Sequence, residues 1–133
     1  MALKLDRVDH IHVYVPDRPA AEKWYRDVLG FQRNAKLEEW AVPHGPLMLC
    51  NESGSVMLSV FERPIEPNRA VIAFGVSGNE FMEWLEHLGN VLDEAPQPVD
   101  HGVSWSIYFY DLDRNPFEIT TYDYEVVKNR KTW

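Results

Sequence analysis

The stretch "HIHVYV" at residues 10–15 alternates polar and apolar positions, the period of a half-buried strand. Ile11, Val13 and Val15 fall on one side, and His10, His12 and Tyr14 on the other. The next segment, "PDRPAAEKWYRDVLGF", changes period. Asp17 suits a helix N-cap, Pro19 a first turn and Gly30 a C-terminal stop, and Ala21, Trp24, Tyr25, Val28 and Leu29 make one helical face. Short strand signals run through residues 31–63. They are clearest in the hairpin "LMLC", "NESG", "SVMLSVFE". A proline-punctuated linker, "RPIEPN", occupies 63–68.

The pattern then restarts. "AVIAFGV" (70–76) reads as an apolar strand, and Asn79 suits the cap of a helix with Phe81, Trp84, Leu85 and Leu88 at core spacing. "VLDEAPQPVDHGV" reads as a polar connection. "WSIYFYD" and "PFEITTYDY" read as strands around the turn "DLDRN", and the tail "EVVKNRKTW" carries no periodic signal. An offset of 61 residues superposes Val15 on Val76 and Trp24 on Leu85. The chain therefore predicts strand–helix–strands twice, as two similar halves related by a pseudo-twofold. Helices are expected on one face of the sheets, with a cavity enclosed by the other faces.

Composition narrows the partners. The chain has 133 residues and a formal net charge of −8, which disfavours nucleic acid and anionic membrane surfaces. Aromatic residues make up 13% of it, enough to fill a core and also line a small-molecule pocket. Cys50 is the only cysteine, so neither an intrachain disulfide nor a thiolate metal cluster is available. The start "MALKLDRVDHIH" has no apolar run of signal-peptide length, and no run approaches a membrane span. These features lead us to expect a cytoplasmic protein.

Three stretches carry a resemblance. "DHIHVYVPD" with "AAEKWYRDVLGF", "AVIAFGVSGNEFMEWLEHL", and "SIYFYDLDRNPFEIT" occur in that order between residues 8 and 122. Together they resemble the vicinal oxygen chelate superfamily of glyoxalase I, fosfomycin and bleomycin resistance proteins, and extradiol dioxygenases. The resemblance implies an α+β fold of two βαβββ modules whose curled mixed sheets surround a cavity holding a divalent metal. It implies a single domain over 1–133, with modules of about 6–62 and 69–124, and a homodimer. It places metal ligands at His10 and Glu118. Strand alternation puts Glu118, Thr120 and Tyr122 on one face and His10, His12 and Tyr14 on another, making His12, Tyr14, Thr120 and Tyr122 candidate pocket residues.

The chain also departs from the family pattern. A histidine usually opens the second module, where this chain has Val71, and shifting Glu118 back by 61 lands on Met57. Both are kept as possible pocket residues. Two protein ligands rarely hold a divalent ion tightly. "DHGVSWSIYFYDLDRNPFE" places His101 17 residues and Tyr108 10 residues before Glu118. This spacing resembles the extradiol signature, in which such a histidine is the acid–base group and such a tyrosine lines the substrate site. In the closing turn, Leu112 stands where proline is usual and Arg114 where glycine is usual, leaving Asn115 to supply a left-handed residue.

Each candidate has a plainer reading. A strand histidine facing inward is by default a hydrogen-bonded core residue, Glu118 can pair with a cation, and His101 can be a surface loop residue. Phe81, Trp84, Leu85, Trp24 and Val28 read as helix core. Glu80, Glu83 and Glu86 read as a solvated face, and His44 and His87 as exposed.

Two function classes follow. The first is a metal-dependent enzyme acting on a small organic substrate, leaning to extradiol-type ring cleavage with Fe(II) or Mn(II) as cofactor. The second is a metal-free small-molecule binding protein of the bleomycin-resistance type. Glyoxalase-type isomerisation and fosfomycin-type thiol transfer are disfavoured by the missing ligands.

Overall fold

The computed structural model describes residues 3–133. The chain divides into two compact units, one ending at Glu66 and the other beginning at Pro67.

The first unit contains β1 (Ile11–Val15), α1 (Arg18–Leu29), β2 (Gln32–Arg33), a 3-10 helix (Ala35–Trp40), β3 (Leu47–Cys50) and β4 (Met57–Glu62). Its sheet has the order β1-β4-β3-β2. β1 runs parallel to β4, with Ile11 opposite Leu58 and Tyr14 opposite Phe61, and the other pairs are antiparallel. α1 starts as its sequence predicts: the Asp17 side chain accepts from the Ala20 N–H, Pro lies in the first turn, and Gly30 closes the helix at φ 73°. Val13, Val15, Leu58 and Val60 are buried with Ala21, Tyr25 and Val28 of α1. This apolar layer leaves the opposite face of the sheet to His12, Tyr14, Ser59 and Phe61.

The second unit contains β5 (Ile72–Gly75), α2 (Gly78–Val91), β6 (Val99–Asp100), β7 (Trp105–Tyr110), β8 (Pro116–Thr121) and α3 (Tyr124–Arg130). Its strand order, β5-β8-β7-β6, repeats that of the first sheet. Ile72 pairs with Phe117 in the parallel ladder, and Phe81, Leu88, Ile107, Phe117 and Ile119 are buried. The fold is thus two four-stranded mixed sheets with helices, as the restarted pattern predicts.

Several local expectations change. α2 is capped by Ser77, not Asn79, in a full capping box: Ser77 accepts from the Glu80 N–H, and the Glu80 carboxylate accepts from the Ser77 N–H. Trp24, Trp84 and Leu85 are half-buried rather than core, and His87 is half-buried with its ring against Trp84. The tail is helical as α3, which packs on α2; a Cβ on Gly78 would lie 2.8 Å from Val126 Cβ. In the closing turn Arg114, not Asn115, takes the left-handed conformation, at φ 70°. Asn115 is fully buried instead, donating to Asp111 Oδ2 and accepting from the Asn68 N–H. Asp111 Oδ1 accepts from the backbone of Asp113 and Asn115, so side chains hold this turn where proline and glycine usually do.

Candidate functional site

In the first unit the polar face of β1 is an aromatic row. His10 and His12 stack with centroids 5.2 Å apart, His12 meets Phe61 at 4.9 Å, and Tyr14 meets Phe61 at 5.9 Å. Alternation explains the row, because His12 pairs with Ser59 and Tyr14 with Phe61 across the parallel ladder. Met57 starts β4 on the same face, beside Cys50 of β3. The Arg63 guanidinium sits over the Phe61 ring at 5.2 Å. Tyr14 also borders an open hollow of about 420 Å³ with Arg63, Pro64, Ile65 and Glu66.

His10 precedes β1 and is exposed. Its Nδ1 lies 2.8 Å from Asp9 Oδ2, a contact that fixes the ring's orientation and leaves Nε2 open. The same hydrogen bond is the main cause holding the Asp9 carboxyl below the usual carboxylate range, and Arg7 adds to it.

In the second unit Glu118, Tyr108, Thr120 and Ser106 share the polar face of the β7–β8 ladder. Tyr108 stands directly opposite Glu118, and Ser106 opposite Thr120. Glu118 is half-buried; Ser106 Oγ donates to its Oε2 at 2.7 Å, leaving Oε1 open. Ser106 Oγ also lies 3.2 Å from Thr120 Oγ1, which donates to the Trp105 carbonyl. On β5 the residue facing Glu118 is Ala73. Val71 lies one strand step before it, just outside β5, and is 48% exposed.

His101 lies on the turn between β6 and β7. Its Nε2 is 3.1 Å from Tyr108 Oη, with the two rings edge to face at 6.2 Å. The second unit therefore brings together His101, Tyr108, Glu118 and Thr120. Tyr122 does not join them: β8 ends at Thr121, where the chain turns into α3, and Tyr122 is 80% exposed. Ser106 was not singled out in the sequence. Its signal was its place in the alternating strand "WSIYFY", two residues before Tyr108.

The donor set bears on a metal. The open imidazole nitrogen of His10 and the open carboxylate oxygen of Glu118 are ligand types that suit Fe(II) or Mn(II). Each unit supplies one such position, His10 in the first and Glu118 in the second, and Val71 supplies none. Among the described residues, no group of three His, Cys, Asp or Glu side chains is arranged to hold an ion. Within either unit a single such donor fits at most a weakly held ion completed by water or substrate oxygens, and not a tight three-residue centre.

A family model described as "Glyoxalase/Bleomycin resistance protein/Dioxygenase superfamily" matches residues 7–119. A search of curated proteins returned no match. Among solved structures, the fosfomycin resistance protein FosX from Listeria monocytogenes is 19% identical with a TM-score of 0.69; the match covers 93% of this chain and 99% of that one. A mutant of the same protein, solved with Mn(II) and 1S,2S-dihydroxypropylphosphonic acid, gives 20%, 0.70, 96% and 100% for the same measures. A glyoxalase family protein from Bacillus anthracis is 18% identical with a TM-score of 0.68, covering 92% and 99%. These structures share the fold.

Proposed function

Because the chain belongs to the glyoxalase/bleomycin resistance protein/dioxygenase superfamily, we propose that it is a divalent-metal-dependent enzyme acting on a small organic substrate. His101 and Tyr108 are its proton-handling pair and Glu118 its metal ligand in the second unit, and His10 is the ligand candidate of the first. The hydrogen bond between His101 and Tyr108, with Tyr108 set across the ladder from Glu118, carries this reading.

A divalent ion such as Fe(II) or Mn(II), if held by these residues, would supply Lewis-acid stabilisation of negative charge on substrate oxygens. The chain's own groups do the rest. The His101 imidazole accepts a proton from a substrate hydroxyl and returns it later, which requires a group within hydrogen-bond reach of that hydroxyl. The Tyr108 hydroxyl orients the imidazole and offers a second polar contact to the substrate. Ser106 holds Glu118 by one oxygen, which aims the other. This set leans to cleavage of an aromatic vicinal diol of the extradiol type. The protein is taken to be a cytoplasmic homodimer.

The test is turnover of a panel of catechols by Fe(II)-loaded protein, followed by oxygen uptake and ring-fission absorbance. His101→Ala should lower kcat by about 10²–10⁴-fold with metal content unchanged. Unchanged kcat contradicts the acid–base role, and loss of metal makes His101 a ligand instead.

One observation favours a second reading. Val71 and Met57 are apolar where the family places ligands, which suits a metal-free binding protein for a small organic molecule. On that reading the His12–Phe61–Tyr14 row provides flat surface for a ring.

A further inference from the structure

The turn that carries His101 is short, exposed and rich in polar groups, a poor platform for a group that must point at Tyr108. Its own bonds are few: the His101 N–H donates to the Ser104 carbonyl, and Gly102 turns the chain at φ 82°. The Asp100 carboxylate adds to them. Its Oδ1 accepts from the Gly102 N–H at 2.8 Å, and its Oδ2 accepts from the Tyr124 hydroxyl at 2.9 Å.

Tyr124 is the first residue of α3, and α3 is well anchored. The Tyr124 ring stacks on Trp105 at 5.5 Å, and Trp105 Nε1 donates to the Tyr124 carbonyl. Lys131 and Trp133 close on other parts of the same indole. Asp123 accepts from the Gly78 N–H at the start of α2, and Val127 is fully buried. The phenol that reaches Asp100 is thus fixed by packing on both sides of its helix.

We propose that Tyr124 is a positioning residue for His101: through the Asp100 carboxylate it holds the 100–104 turn in the one conformation that sets His101 Nε2 against the Tyr108 hydroxyl. The proposal rests on the reading of His101 and Tyr108 as the working pair, but its geometry is independent of substrate or metal. The hydrogen bond with Asp100 raises the Tyr124 phenol above its ordinary value, while the Gly102 N–H is the main cause lowering Asp100. Both directions agree with a carboxylate that serves two donors.

The test compares full-length wild-type protein with Tyr124→Phe, which removes the hydroxyl and keeps the ring on Trp105. Two NMR readouts are used: the side-chain nitrogen shifts of His101, and amide exchange at Gly102. Tyr108→Phe supplies the reference for a His101 that has lost its partner. Tyr124→Phe should move the His101 shifts toward that reference and speed Gly102 exchange by about tenfold, the loss of one charge-assisted hydrogen bond, with α3 exchange unchanged. His101 shifts and Gly102 exchange identical to wild type would overturn the proposal. Should Tyr124→Phe unfold α3, Asp100→Ala removes the bridge without touching that helix. The His101 shifts are then the readout, because this variant also takes the acceptor from the Gly102 N–H, and shifts identical to wild type are equally fatal.

These readouts stand apart from the catalytic reading. Full turnover in His101→Ala would remove the working pair, whereas a released His101 in Tyr124→Phe would still establish the strut.

Discussion

The Asp100–Tyr124 pair shows how far a single exposed hydrogen bond reaches. Asp100 has a lowered folded pKa, so its contribution is present above the ordinary carboxylate value and is lost as pH falls through the folded one. Tyr124 has a raised pKa, so its contribution is present below the ordinary phenol value and is lost as pH rises through the raised one. The turn bearing His101 is therefore held across the neutral range and released at both extremes. Asp100→Asn should return the Tyr124 titration toward that of a free tyrosine, read by the pH dependence of its NMR ring signals. An unmoved midpoint would mean the hydrogen bond is absent in solution. A second residue-scale expectation concerns Arg114, which holds φ 70° with its guanidinium 4.5 Å over the Tyr110 ring. Arg114→Ala and Arg114→Gly both lose that contact and differ at the Cβ. The alanine variant should be the less stable by about 1 kcal/mol, measured by urea unfolding; equal stabilities would mean the turn relaxes out of the left-handed region.

At the scale of the element, α2 depends on its capping box and on its close approach to α3. Ser77→Ala removes one half of the box and should cost about 1 kcal/mol, seen as a fall in Tm. Gly78→Val should cost more, about 1–3 kcal/mol, because the added side chain meets Val126 and Asp123. If the valine variant were as stable as wild type, α3 would not pack as described. The two strand–helix repeats were legible because their buried faces keep strict periods, as Val13 and Val15 do in β1. The cap at Ser77 was missed, because Asn79 suited a cap on residue type alone, although "SGNE" has the box spacing. α3 was not legible. It spans seven residues with Val127 alone buried, and what holds it is Trp105 and the start of α2, both outside its own segment. The strand prediction through Tyr122 failed for the same reason: the alternation of "PFEITTYDY" continues past the point where α3 docks.

For the whole molecule, the resemblance named candidate residues, and strand pairing brings three of them together in one unit. Glu118, Tyr108 and His101 share one unit because β7 and β8 pair in register and a turn returns His101 to the strand. Residue type alone did not reveal this, since a loop histidine and an exposed tyrosine have no period. The metal question turns on Val71. Val71→His should tighten divalent ion binding by more than the roughly tenfold associated with a lost outer-shell partner, and Val71 is exposed enough to accept the change. The most direct measurement is an anaerobic Mn(II) titration followed by electron paramagnetic resonance, on protein purified without a metal-chelating tag, alongside Glu118→Ala. Saturable uptake approaching one ion per chain, lost in Glu118→Ala, is the expected result. No saturable uptake, or uptake unchanged by Glu118→Ala, would contradict a metal-dependent enzyme and leave a binding protein in its place.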